Sequence, residues 1–182
     1  YQNTVPDNQT LYVRLEVDET GCYATTTQDL IVHPLPEIIV PTPLEECDDD
    51  YDGIVSFFDL SQKTEEILNG QTGISVSYYE TLENAESGEN PIEGLYTNIE
   101  ADTQTLYVRL IDDLNNCISS TSLDLIVNSL PEIITPTPLE ECDDDYDGIV
   151  SFFDLSQKTE EILNGQTGIS VSYYETLENA ES

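Results

Sequence analysis

The stretch that decides the fold is LYVRLIDDLNNCISSTSLDLIV, residues 106–127. Apolar side chains alternate with polar ones near both of its ends, at Leu106, Val108 and Leu110 and again at Leu123, Leu125 and Val127. A period of two is typical of antiparallel strands that bury one face. The stretch therefore predicts two strands with Cys117 between them.

The same pattern occurs 95 residues earlier, and the whole chain repeats with that period without insertion or deletion. Residues 41–87 recur identically at 136–182. Residues 1–35 match 96–130 less closely, in QTLYVRL, at the cysteine and in DLIV. Near-identical tandem copies are typical of arrays in which each copy is one structural unit. The 182 residues hold just under two periods.

Prolines indicate where one copy ends and the next begins. They crowd two equivalent segments, at positions 34, 36, 41 and 43 and at positions 131, 136 and 138. Proline lacks a backbone donor and stiffens the chain, so such clusters suit linkers and edge strands. We predict one complete copy over residues 36–130, flanked by the end of a preceding copy at 1–35 and the beginning of a following copy at 131–182.

Further alternation at Ile74, Val76 and Tyr78 predicts another strand in the complete copy. Short helices are expected after Ser61, as N-cap, up to Gly70, and through residues 81–86 before Gly88. Several short strands within about 95 residues favour an all-β fold. The expected architecture is a tandem array of immunoglobulin-like β-sandwich repeats with short helical insertions.

Charge limits the possible partners. The chain has 38 acidic and 4 basic residues and a formal net charge of −34, which argues against nucleic acids and anionic lipid surfaces. It contains no apolar stretch of about 18 residues, so no membrane insertion is expected. A single histidine and the lack of nucleophile–base sets argue against an enzyme. Cations are the natural counterpart of this composition.

One chemical motif stands out, the D-x-D-x-D-G loop at residues 48–53, repeated at 143–148. Its spacing matches a calcium loop whose seventh and twelfth positions also supply ligands, although the proline-containing and β-rich flanks differ from those of an EF-hand. A solvated acidic turn is the alternative. The predicted Ca²⁺ ligands are Asp48, Asp50, Asp52, Ile54 and Asp59 in one copy and Asp143, Asp145, Asp147, Ile149 and Asp154 in the next.

Each copy carries two cysteines, which fits an exported, oxidised protein. We predict a disulfide between Cys47 and Cys117 within the complete copy, with Cys22 and Cys142 paired outside these residues. The alternative, Cys22 with Cys47, would join neighbouring copies across the linker. Zinc is improbable because the chain has no C-x-x-C or Cys/His cluster.

The combination of LYVRL, LDLIVNSLP, PTPLEECDDDYDGIVSFFDL and ILNGQTGISVSYYET resembles the tandem repeats of giant surface adhesins of gliding Bacteroidota, including SprB-type adhesins. The resemblance implies type IX secretion and an extracellular location on the cell surface, associated with the outer membrane. It also implies neighbouring repeats, and other copies in a fibre, as partners.

The sequence thus leads to two functional hypotheses. The first is a calcium-stiffened extender repeat of a giant adhesin or surface filament, serving adhesion and gliding motility. The alternative is a calcium-dependent glycan-binding module, in which the cation and Tyr51 or Tyr146 would contact sugar hydroxyls.

Overall fold

The computed structural model describes residues 1–145 and 147–181, so the predicted sugar contact Tyr146 lies outside the described residues. The described chain falls into two compact units, residues 1–128 and 129–182. Within the described residues no helix is long and apolar enough to cross a membrane.

The first unit contains two sheets and is mostly β, as predicted. Strands β1 (Asn8–Glu16) and β2 (Tyr23–Ile31) form an antiparallel hairpin. A second sheet has the order β3-β6-β5-β4, where its strands are β3 (Leu44–Cys47), β4 (Ile74–Tyr79), β5 (Thr103–Asp112) and β6 (Ile118–Asn128). Strand β3 runs parallel to β6, whereas the other pairs are antiparallel. The alternating runs of the sequence all lie in strands, which confirms those predictions.

The core lies on one face of this four-stranded sheet. The residues that alternate in β5 and β6 are buried there: Leu106, Val108, Leu110, Leu123, Leu125 and Val127. Phe58, Leu60, Ile67 and Tyr96 cover them from the opposite side. In the described residues this second layer has a single β-bridge, Phe58 with Tyr96, and is otherwise built of short helices and loops. The result is consistent with a sandwich-like all-β fold.

Short helices follow the acidic loop and β4. A 3₁₀ turn (Leu60–Lys63) leads into α1 (Thr64–Leu68), and α2 spans Leu82–Ser87. The predicted cap Ser61 is instead the donor, because the Asp59 side chain accepts from its backbone N–H and caps the 3₁₀ turn. The second prediction is confirmed, since Thr81 caps α2 and Gly88 ends it with a positive φ of 80°.

The proline-rich segment before β3 lies along its own copy. The Gln71 side chain accepts from the N–H of Glu37 at 2.8 Å and donates to its carbonyl at 3.1 Å. The Thr42 N–H donates to Glu66 at 2.6 Å, and the Ser119 hydroxyl donates to the Pro36 carbonyl at 2.8 Å. Residues 36–43 are therefore bound to the sheet and its first helix.

The second unit repeats the local elements of the first. It has a 3₁₀ turn (Leu155–Lys158), α3 (Thr159–Leu163) and α4 (Leu177–Ala180). The Gln166 side chain contacts the backbone of Glu132 as Gln71 contacts Glu37. Residues 139–142 and 169–174, identical to β3 and β4 in sequence, form no strand in this unit.

Replacement of Phe58 by alanine tests the covering layer. Phe58 is fully buried, whereas the adjacent Phe57 is 69% exposed. We expect Phe58→Ala to lower the free energy of unfolding of the complete copy by about 3–5 kcal/mol, because it opens a cavity under the sheet. Phe57→Ala, the matched control, should cost less than about 1 kcal/mol. Urea denaturation measures both, and equal costs would contradict the assigned core.

Candidate metal centre

The alternate aspartates of each acidic loop converge. Asp48, Asp50 and Asp52 each offer one carboxylate oxygen, and these three atoms lie within 4.8 Å of one another. The equivalent aspartates Asp143, Asp145 and Asp147 form a second such group in the other unit. Three hard oxygen donors at this separation could hold a metal ion, although such a set does not distinguish Ca²⁺ from other hard cations.

The convergence is built by the loop's own backbone. Asp48 accepts from the N–H groups of Gly53 at 3.0 Å and of Asp50 and Tyr51 at 3.2 Å. Asp50 then accepts from the N–H of Asp52 in the same way. Within these side-chain-to-backbone turns, Tyr51 (69°) and Gly53 (76°) have positive φ. The matching hydrogen bonds recur in the second unit, for example from Gly148 N–H to Asp143 at 2.9 Å. The loop conformation is thus local.

Two aspartates of the cluster have pKa values displaced in opposite directions. Burial acts to raise the pKa of Asp48, but backbone donors, led by Gly53, together lower it below its ordinary value. Burial raises the pKa of Asp50, and the charge of Asp52 raises it further. Ionised Asp48 therefore stabilises the folded loop, an effect lost as pH falls through its folded pKa. Ionised Asp50 destabilises the loop above its own pKa, and a bound cation would relieve that repulsion.

The acids predicted at the twelfth position do not join the clusters. Asp59 caps the 3₁₀ turn, accepting from the Ser61 N–H at 3.1 Å and from its hydroxyl at 2.6 Å. Asp154 does the same with Ser156, whose hydroxyl and N–H lower the pKa of that carboxyl. The physical reason is that each of these carboxylates is held as the N-cap of the 3₁₀ turn that follows it, outside the group of three converging aspartates. This corrects the predicted ligand set.

Ile54 and Ile149 were predicted to contribute carbonyl ligands. They follow directly on the clusters, and their backbone N–H groups donate to Asp52 and Asp147, each at 2.7 Å. Their role as carbonyl ligands stays a prediction.

Asn98 anchors the acidic loop and was missed by the sequence analysis. Its side chain is 2% exposed, accepts from the Val55 N–H at 2.6 Å and donates to the Gly53 carbonyl at 2.8 Å. The Asp102 N–H donates to the same carbonyl at 3.1 Å. A signal was available: Asn98 and Asp102 recur as Asn3 and Asp7 in a stretch where the two copies otherwise differ.

Cys47 and Cys117 lie at opposite ends of β6. Cys47 pairs with Asn128 at the end of that strand, and Cys117 immediately precedes its first residue, Ile118. An 11-residue strand is about 35 Å long, whereas bridged cysteines have Cα atoms about 5.5 Å apart. None of the four cysteines is bonded to another within this chain. The predicted bridge within the copy is therefore incompatible with this fold.

The ends of the sheet can be named by the course of the chain. We call the end of the sheet beside Cys117 the leading end, because the chain reaches the copy there, where Pro36 contacts Ser119. We call the opposite end the trailing end, because the chain leaves the copy there at Asn128. Cys47 and the acidic loop lie at this end, and the Asp48 N–H donates to the Asn128 carbonyl at 2.9 Å. Each end of the sheet thus carries one cysteine.

These features define a class of protein. It is a β-rich tandem-repeat protein in which each copy has a cysteine at both ends of its sheet and, at one end, an acidic loop that could hold a metal ion. One family, described as the Flavobacterium inter-domain disulphide bond domain, matches residues 1–36, 43–131 and 138–182. The chain belongs to this family. No curated protein and no solved structure matches the chain.

Membership indicates an extracellular structural domain. Stable disulfides between domains form and persist in oxidising, non-cytoplasmic surroundings, which agrees with the expectation from the cysteine content. The matches have the same 95-residue spacing as the repeat. Residues 37–42, which separate two matches, are nevertheless bound to the complete copy through Gln71 and Glu66.

Substitution of Gly53 tests how the loop docks on its neighbours. A Cβ at Gly53 would lie 2.8 Å from Asp102 Oδ1 and 2.9 Å from the Asp102 backbone nitrogen, whereas a Cβ at Gly70 would meet nothing within 4 Å. Both glycines have positive φ. We expect Gly70→Ala to cost about 1 kcal/mol in free energy of unfolding and Gly53→Ala about 2–4 kcal/mol. Chemical denaturation measures both, and similar costs would show that the loop is not docked.

Proposed function

We propose that this chain is part of an extracellular extender, in which tandem immunoglobulin-like copies hold the adhesive region of a surface adhesin away from the cell. The observation that carries this proposal is that the chain reaches and leaves a copy at opposite ends of one sheet, with a cysteine at each end. Such copies string end to end and can be joined covalently, so that repetition adds length.

The strand order supports the immunoglobulin-like part of the proposal. Strands β6, β5 and β4 are neighbours in that order, as the last strands G and F and the earlier strand C are in an immunoglobulin sheet. The bridge between Phe58 and Tyr96 stands where the second sheet of such a sandwich would lie. The resemblance to adhesins of gliding Bacteroidota and the flavobacterial family support a role in surface adhesion and gliding. The proposed role is mechanical and not enzymatic.

We place the inter-domain disulfide between Cys47 of one copy and the cysteine equivalent to Cys117 in the following copy. Only residues 129 and 130 separate Asn128 from Pro131, the equivalent of Pro36, so we expect these two thiols to come close together in an array. Two thiols lose two protons and two electrons to form the bond, and a protein disulfide of the exporting compartment takes them up by thiol–disulfide exchange. With this pairing, the partners of all four cysteines lie outside residues 1–182.

Calcium is the cation that we propose for the acidic loops. The cluster of Asp48, Asp50 and Asp52 consists of hard oxygen donors and carries a charge repulsion that a divalent cation would relieve. It lies directly after Cys47 at the trailing end, where the next copy is attached. A bound cation would therefore stiffen the junction.

The glycan-binding alternative has one supporting feature, the Tyr51 ring, which is 57% exposed beside the cluster. We favour the extender because one exposed ring does not by itself make a ligand site, which typically combines a concave surface with several convergent polar groups. Calcium-dependent binding of one copy to a glycan array would reverse this preference.

Chelation should destabilise the protein. At free calcium ten- to a hundredfold above Kd, one site adds about 1.4–2.7 kcal/mol, so the melting temperature should be higher in millimolar calcium than in EDTA. Asp50→Asn combined with Asp145→Asn should abolish the difference. Asp59→Asn, the control, should keep it, because asparagine caps a helix as well as aspartate does. Identical melting curves of the unaltered protein in both buffers would refute the proposed calcium site.

The pairing of cysteines can be mapped in a chain of several complete copies secreted into an oxidising medium. We expect Cys47→Ser in the first copy to leave a single new free thiol, in the second copy at the position of Cys117. Alkylation of the non-reduced protein, followed by peptide mass spectrometry, locates the thiol. The peptide that contains Cys117 carries an isotopic or sequence tag in one copy, so that the copies can be told apart. A free thiol at Cys117 of the first copy would instead indicate a bridge within one copy.

A further inference from the structure

We infer that the inter-copy disulfides provide a second, much shorter covalent path along the array, which carries tension past residues 48–116 and makes the array nearly inextensible. The inference rests on the proposed pairing of Cys47 with the following copy. It concerns a mechanical property that pairing alone does not state, namely which residues bear the load.

The path follows from the positions of the cysteines. Only 25 residues separate Cys117 from Cys142, and the same 25 separate Cys22 from Cys47. From Cys47 of one copy the bond crosses to the second cysteine of the next copy, and 25 residues later the chain reaches the first cysteine of the third copy. One disulfide and 25 residues thus span two periods of 95 residues each.

Two such paths interleave along the array. One links the odd-numbered copies and the other the even-numbered copies, and every linker belongs to one of them. Each path consists of a β6 strand, the proline segment and a β3 strand. Residues 48–116 belong to neither path, and they include the acidic loop, α1, α2, β4 and β5.

The path is already almost taut in the folded copy. Strand β6 is extended over all its 11 residues. Residues 36–47 run from Ser119, which contacts Pro36, to Asn128, which pairs with Cys47. The twelve residues 36–47 cover the same length as the ten residues 119–128 of β6. This segment is therefore roughly two residues, or about 7 Å, longer than the distance that it spans. Tension therefore meets extended backbone before it can pull on the rest of the copy.

The consequence is that a copy can unfold without lengthening the fibre. Without disulfides, unfolding one copy would release about 95 residues, or roughly 330 Å of contour before subtraction of its folded length. With the disulfides in place, the end-to-end length of two copies cannot exceed about 90 Å, because 25 residues and one disulfide bond span them. Residues 48–116, which include the acidic loop, stay unloaded.

Single-molecule stretching of tandem copies of residues 36–130 tests the inference. The expected number of long extensions depends on whether the number of copies is even or odd. An oxidised array of four copies should show no long extension, because two disulfides connect its ends. An oxidised array of five should show one, since one copy must be traversed through residues 48–116. The reduced arrays should show four and five long extensions respectively.

Cysteine variants of the four-copy array supply matched controls. Cys47→Ser in the second copy removes a bond that the end-to-end path does not use, and long extensions should stay absent. Cys47→Ser in the first copy removes a bond that it does use, and long extensions should return. If peptide mapping confirms the pairing but the oxidised four-copy array extends by about 300 Å per copy, the load path is overturned and the proposed pairing stands. If mapping finds other pairs, the proposed pairing itself fails.

Discussion

Backbone pairing along β6 is the constraint on which the complete copy depends. This strand is central, with β5 on one side and β3 on the other, and its alternate residues Leu123, Leu125 and Val127 form one wall of the core. Because β3 pairs in parallel, the segment that brings the chain to the copy runs the length of β6 and ends at the trailing end. The course of the chain, the position of the acidic loop and the separation of the cysteines all follow from that pairing.

The identical segments 41–87 and 136–182 separate local from tertiary effects within one molecule. Helix caps agree closely, with the C-cap residues Asn69 and Asn164 both at a φ of 47°. Burial does not agree, since Phe58 is fully buried and its equivalent Phe153 is 47% exposed. The sequences of β5 and β6 do not recur between residues 129 and 182, so Phe153 has no such sheet to cover.

The strands, the helix after β4 and the convergence of the three aspartates could be predicted because each rests on local spacing. The disulfide could not, because sequence separation does not tell which end of a strand a cysteine occupies. The predicted bridge required Cys47 to lie beside Cys117, whereas the parallel register of β3 sets them a whole strand apart. Asp59 was misassigned for a related reason: a helix cap and the twelfth position of a calcium loop call for the same residue type.

The sequence by itself determined the period, the number of thiols per period and the Asx-turn geometry of the acidic loops. That geometry depends on residues within a few positions of one another, so both loops show it. Only the tertiary structure decided that Asn98 anchors the loop, that residues 36–43 lie against the sheet, and that the two thiols occupy opposite ends. Those outcomes depend on strand pairing between residues about 80 positions apart, whose register emerges only when the sheet assembles.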